Sequence, residues 1–186
     1  MKRGSDRRLA ATLIAASGLA AAWLAPTAAL AADATTAPFG SRAEAEAYLA
    51  RAVPAATEAN PKYRSPGSDA LRRWLTKSAE FHDSGDGAVV VSTNETFEDY
   101  RDGSLSGRGT HEATFAIDDV RVSVETAPDL TESGEPARGV LFRCAGAPCI
   151  EAVWDGQKSM AAETDIYIQD AAQRERIVAA FEALRR

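Results

Sequence analysis

Residues 139–154 read Gly139-Val140-Leu141-Phe142-Arg143-Cys144-Ala145-Gly146-Ala147-Pro148-Cys149-Ile150-Glu151-Ala152-Val153-Trp154 and hold both cysteines of the 186-residue chain. Two short runs with strand character flank Ala145-Gly146-Ala147-Pro148, a segment of turn composition. The pattern predicts an antiparallel hairpin with a thiol at each end of a four-residue turn. Directly opposed strand residues lie ~4.5–5.5 Å apart, inside the ~4.4–6.8 Å that a disulfide spans. Cys144 and Cys149 are therefore expected to form a disulfide. Closing so short a loop contributes only about 2 kcal/mol, so the bridge pins register more than it adds stability. The implied register sets Phe142 opposite Glu151, Val140 opposite Val153, Leu141 opposite Ala152 and Arg143 opposite Ile150. Phe142 and Val140 are then expected to pack on Ile177, Val178 and Phe181. A redox-active pair favours C-x-x-C at a helix start, where thiolate is stabilised. The wider spacing and strand context here favour a structural bridge.

The N-terminal segment has a different character. Lys2, Arg3, Arg7 and Arg8 precede an apolar run from Leu9 to Leu24, and Ala29-Leu30-Ala31 supplies small residues at a cleavage position. That order predicts a secretory signal peptide over residues 1–31; the run is short for a membrane span of roughly 20 residues. Residues 32–40 are expected to form a flexible mature N-terminus, and residues 41–186 a single domain. Two cysteines in an exported chain belong to an oxidising compartment, so the expected location is periplasmic or extracellular. No membrane span is expected after leader cleavage.

Net formal charge is −6 over the whole chain. Setting aside four basic residues and one acid of the leader leaves 17 basic and 26 acidic residues, or −9. No basic cluster stands out. That balance argues against nucleic acid and anionic membrane surfaces, which both need clustered Lys and Arg. A protein or a small molecule remains as the expected partner.

Ser41-Arg42-Ala43-Glu44 is a capping box, and Ala45, Tyr48, Leu49, Ala52, Val53 and Ala56 follow at helical spacing. A helix is predicted over about 42–58, with Pro54 a point where it kinks or ends. Ser68-Asp69 reads as the cap of a short helix carrying Leu71, Trp74 and Leu75. Strands are predicted at about 77–82 and 88–98, around the turn Asp83-Ser84-Gly85-Asp86-Gly87. Asp102-Gly103 to Gly109 reads as a Gly/Ser loop. Ala113, Phe115 and Ile117 alternate on one face, then Val120, Val122 and Val124 on the other phase, so Asp118-Asp119 must turn or bulge the chain. Pro128 to Pro136 reads as a polar loop, Asp155-Gly156 as a turn, and Glu163 to Ile168 as the last strand. Asp170 caps a final helix over about 170–185 with Ile177, Val178, Phe181 and Leu184 as its stripe. Strands grouped between two helices predict an α+β fold. The expected architecture is an antiparallel sheet or partly open barrel of about six or seven strands over about 77–168, with an N-terminal helix and a packed C-terminal helix.

Meandering strands closed by one amphipathic helix, from Phe81 through Leu184, resemble the pleckstrin-homology-like architecture. Val140 to Ile150, Tyr167-Ile168 and the helix with Ile177 and Phe181 also resemble uncharacterised exported bacterial proteins. The resemblance implies a fold and no activity. A phosphoinositide site of that architecture needs a basic loop between its first strands, and Asp83 to Gly87 is acidic.

No catalytic, cofactor-binding or metal-ligating residue is assigned from the sequence. His82 and His111 are the two histidines, each followed by an acid, and read as surface or strand-end residues. No G-x-S-x-G elbow or H-E-x-x-H motif occurs. Asp83, Asp86, Asp118, Asp119, Glu125, Asp129 and Asp155 read mostly as solvated turn residues. Trp74 and Trp154 read as core anchors or hairpin covers. The leading expectation is an exported non-enzymatic binding or interaction domain of unknown ligand, stabilised by one hairpin disulfide. The alternative is a secreted hydrolase with His82 or His111 as base.

Overall fold

The computed structural model describes residues 39–185. The signal peptide over 1–31 and most of the flexible segment over 32–40 lie outside them. The last two residues of that segment are held in place. Phe39 stacks on Tyr48 at 5.2 Å, and the Gly40 amide donates to Glu44 Oε2 at 2.9 Å.

The element order is α1 (Arg42–Glu58), β1 (Tyr63–Arg64), β2 (Leu71–Asp83), β3 (Val89–Arg101), β4 (Ser104–Ala116), a 3-10 turn (Ile117–Asp119), β5 (Val120–Thr131), β6 (Pro136–Cys144), β7 (Ile150–Trp154), β8 (Gln157–Ala161), β9 (Glu163–Tyr167) and α2 (Ala171–Ala183). The class is α+β, with one antiparallel sheet and a helix at each end, as expected. The sheet has nine strands rather than six or seven, in the order β8-β7-β4-β3-β2-β1-β5-β6-β9.

Both helices start where the caps predict. Ser41 accepts from the Glu44 amide and Asp170 from the Gln173 amide. Pro54 does not end α1, which continues to Glu58. Ala45, Leu49, Val53 and Ala56 bury the stripe of α1 on the sheet; Ile177, Ala180, Phe181 and Leu184 do the same for α2. Phe142 joins the layers, with its ring 4.9 Å from Phe115 and 4.8 Å from Phe181. Burying one such aromatic side chain stabilises the fold by roughly 2–3 kcal/mol.

Three expectations for the sheet are corrected. Leu71, Trp74 and Leu75 lie in β2, not in a helix: the strand begins at Leu71, and Trp74 pairs with Phe97. The Gly/Ser segment after Asp102-Gly103 is the start of β4, because Asp102 (φ 51°) and Gly103 (φ 76°) form a two-residue hairpin turn. The polar stretch from Pro128 to Pro136 is only in part a loop: β5 runs to Thr131 and β6 starts at Pro136, which leaves Glu132 to Glu135 as the turn. The phase change at Asp118-Asp119 is met by the 3-10 turn.

The cysteine stretch carries the largest correction. Cys144 and Cys149 are bonded, with Cα atoms 5.8 Å apart. Yet β6 and β7 do not pair, so the register proposed for Phe142, Val140, Leu141 and Arg143 is wrong. β6 pairs with β5 and β9, and β7 pairs with β4 and β8. The hairpin turn is Asp155-Gly156, where both residues have positive φ (47° and 84°). One long hairpin is thus built from β6 and β7 in one arm and β8 and β9 in the other. Arg143 faces Glu163 and Ile150 faces Ala161, so residues 144–149 loop out opposite Ala162 alone. The disulfide closes the base of that excursion. On one side of it the hairpin pairs with β5, on the other with β4, so a single ribbon, 157–167, borders both ends of the strand order. The expected packing survives the change of register: Val140 and Phe142 lie in one buried cluster with Ile177 and Phe181, and half-buried Val178 packs against it.

Candidate functional site

The inward face of the long strands changes chemistry along its length. At the helix-covered end, Phe81, Val91 and Phe115 stand on neighbouring strands. Farther along, Ala79, Thr93, Ala113 and Ala152 form a small-residue rung. The next rung is Thr76, Glu95, His111 and Trp154, directly paired across β2, β3, β4 and β7. Beyond it stand Trp74, Phe97 and Gly109. A bulge at Lys77 keeps this pattern in phase, because the β2 register shifts between Thr76 and Ser78.

The polar rung is buried and linked by hydrogen bonds. Glu95 is 4% exposed and His111 is 4% exposed. Thr76 Oγ1 donates to Glu95 Oε1 at 3.0 Å, and His111 Nδ1 lies 3.0 Å from Glu95 Oε2. With the second carboxylate oxygen held by Thr76, Glu95 fixes the imidazole in place. The Trp154 ring stacks on His111 at 4.1 Å, and Trp74 meets Trp154 edge-on at 5.8 Å. Phe97 lies flat over Gly109, where a Cβ would come within 2.2 Å of its ring. Any side chain at Gly109 displaces that wall. Arg72 packs 4.2 Å over Phe97 and is held by two hydrogen bonds to Asp99, at 2.7 and 3.0 Å.

Trp74, Glu95, His111 and Trp154 line a cavity of about 140 Å³, closed on the other side by β9. Alternation on β9 sends Ile166 into the helix-side core. Asp165 and Tyr167 line the cavity. Tyr167 stacks on Tyr63 at 4.7 Å and donates to Asp129 Oδ2 at 3.0 Å. Burial pushes the Tyr167 hydroxyl up, aided by the Asp165 and Asp129 charges. The end of β9 is anchored by Asn60, which donates to the Tyr167 carbonyl at 2.5 Å and accepts from the Gln169 amide at 3.0 Å. Arg174, 5% exposed, donates to the Ile168 carbonyl at 2.8 Å.

Asp165 differs from the other acids. Burial pushes its carboxyl up to about 6, and the negative charges of Glu95, Asp129 and Glu125 add to the shift, against His111. Its carboxylate has no hydrogen-bond or ion-pair partner among the described residues. Its acidic neighbours are all engaged. Glu95 has Thr76 and His111, Asp129 has Tyr167, and Arg143 lies 2.9 Å from Glu163 and 3.9 Å from Glu125.

The structure sorts the residues singled out in the sequence. His82 is exposed at the end of β2, as expected. His111 is not at the surface: it lies on the inner face of β4, two residues before Ala113 in the same phase as Phe115 and Ile117. Extending that alternation backwards is the signal that finds it. Trp74 and Trp154, expected as core anchors or hairpin covers, are cavity walls; Trp154 stands at the end of the β7–β8 hairpin and remains 41% exposed. Among the carboxylates read as turn residues, Glu125 and Asp129 lie within β5 and close on Asp165. Glu95 and Asp165 carry no motif. Among the described residues, no group of three or more His, Cys, Asp or Glu side chains is arranged to hold a metal, and no helix is long and apolar enough to cross a membrane. Comparison with family models, with curated proteins and with solved structures finds no match to this chain.

Proposed function

We propose that this chain is an exported binding domain whose ligand is a small molecule held between the Trp154–His111 wall and Asp165. One observation carries the reading: a partly open cavity joins two tryptophans to a carboxylate that has no protein partner. Ligand sites combine apolar and aromatic walls with a few convergent polar groups. A solitary, poorly solvated carboxylate is costly to a fold unless something pairs with it. The basic, apolar and small-residue order of residues 1–31 supports export to the periplasm or beyond, and the disulfide suits an oxidising compartment. The pleckstrin-homology-like reading of Phe81 to Leu184 belongs to the same proposal, as a scaffold for binding rather than for chemistry.

A fragment screen read by tryptophan fluorescence and by ligand-observed NMR tests this. Hits are expected to lose binding in Trp154→Ala and to keep it in Met160→Ala, an exposed apolar residue of β8. Hits indifferent to Trp154→Ala would overturn the reading.

The Glu95–His111 hydrogen bond favours a second reading, a hydrolase with His111 as base and Glu95 as its orienting acid. Hydrolysis of an activated ester that is lost in His111→Gln and retained in His82→Gln would support it over simple binding.

A further inference from the structure

We infer that the ligand of this cavity is a small organic cation, an ammonium group on a body about the size of one six-membered ring, bound with its charge on Asp165 and its body against Trp154 and Trp74. The inference rests on the small-molecule reading above and gives that site its ligand chemistry.

Three features converge on it. The first is charge. No Lys or Arg lines the cavity among the described residues, while Glu95, Glu163 and Asp165 do. Glu95 is already hydrogen-bonded to Thr76 and His111, and Glu163 is paired with Arg143. Asp165 is the acid left over, and it faces inward from β9. A ligand ammonium completes the set with a charge-assisted hydrogen bond, while an anion meets a field of carboxylates. The second feature is the wall. Trp74 and Trp154 stand edge to face, 5.8 Å apart. Tryptophan faces attract cations more than other aromatic side chains do. The third is size. At about 140 Å³ the cavity falls below the range of drug-sized ligands; a cavity of roughly 150 Å³ accepts benzene. The neighbouring groove beyond Phe97 and Gly109 offers no such preference, because Lys77 and Arg108 there oppose Glu98 and Asp155.

A carboxylate without partners gains nothing for folding, and natural proteins retain such groups where function needs them. Asn at the same position keeps the shape and removes the charge.

Calorimetric titration at pH 8 with benzylamine, benzyl alcohol and benzoate tests the charge directly, since the three share a ring and differ in sign. The wild-type protein is expected to bind benzylamine at least about tenfold more tightly than benzyl alcohol, with benzoate weakest. Asp165→Asn is expected to bring the amine and the alcohol within about twofold of each other. Asp86→Asn, the same charge change at an exposed turn, is expected to leave the preference intact, and circular dichroism confirms that both variants fold. Equal binding of amine and alcohol by the wild type would overturn the cation while leaving the pocket. An amine preference that persists in folded Asp165→Asn would overturn the role of Asp165. Failure of all three probes to bind would overturn the pocket reading as well.

Discussion

The two ends of the same inward sheet surface are built to opposite specifications. At the helix-covered end, β3 offers Val89 and Val91, β4 offers Phe115, and Phe142 closes the layer against Phe181. At the open end the same strands offer Glu95, Phe97, His111 and Gly109, and the surface closes over a cavity rather than a helix. The change occurs within one strand, between Val91 and Glu95. Apolar side chains there gain by leaving water and by dense packing. Buried polar groups gain nothing unless every one is hydrogen-bonded. The polar rung meets that condition through Thr76, Glu95 and His111; the Asp165 carboxylate beside it has no such partner among the described residues. The difference teaches which end holds the molecule together and which end is left for a partner.

Substitutions at the two ends break or sharpen that contrast. Phe142→Ala is expected to cost about 4 kcal/mol in urea unfolding, as for large aromatic deletions in cores. Trp154→Ala, at a position 41% exposed, is expected to cost about 1 kcal/mol. Comparable costs would erase the distinction between core and cavity wall. Glu95→Ala is expected to cost about 3 kcal/mol, because it strands a buried imidazole and a buried hydroxyl. Glu95→Gln, which keeps an acceptor for Thr76, is expected to cost about 1 kcal/mol in the same assay. The polar rung would be dispensable if the two variants unfolded alike.

The disulfide contributes at the seam between the ends. Replacing Cys144 and Cys149 by Ser is expected to cost about 2 kcal/mol. Hydrogen exchange is expected to rise first in residues 143–150 and 161–163, where six residues oppose one. Uniform loss of protection would mean that the bridge holds more than the excursion it closes.

Asp165→Asn is expected to act in the opposite direction, by about 1–2 kcal/mol once solvent screening is allowed for. The folded carboxyl is pushed up to about 6, above its unfolded value of roughly 3.9. Between these values the folded protein binds the extra proton, so stability falls as pH rises through 6. The Asn variant is therefore expected to be more stable than the wild type at pH 7 and equal to it near pH 4. Thermal unfolding at the two pH values reads the crossover.

How much of this was legible in the sequence differs between the two ends. The helix-covered end was readable because its logic is hydrophobic. Ser41 and Asp170 marked the helix starts, Ala45, Leu49 and Val53 the buried stripe, and Ala113 and Phe115 the inner face of β4. The open end was not readable, because its inward positions mix Arg72, Thr76, Glu95 and His111 with Trp74, Phe97 and Trp154, so no continuous apolar period marks them. β2 suffered twice. Leu71, Trp74 and Leu75 fall at helical spacing by coincidence, and the bulge at Lys77 breaks the alternation that would have named a strand. The separation of Cys144 and Cys149 points to a bonded pair but misleads on which strands they join. Thiols at the base of a looped-out segment and thiols across a tight turn share the same separation in sequence. Only the pairing of Ile150 with Ala161 and Arg143 with Glu163 tells them apart.

Titration of the Asp165 carboxyl by carbon-detected NMR, with and without saturating benzylamine, tests the division of the sheet most directly. A midpoint near 6 in the free protein, moving down when the amine is bound, is the predicted result. A midpoint in the ordinary carboxylate range, unmoved by the amine, would contradict it.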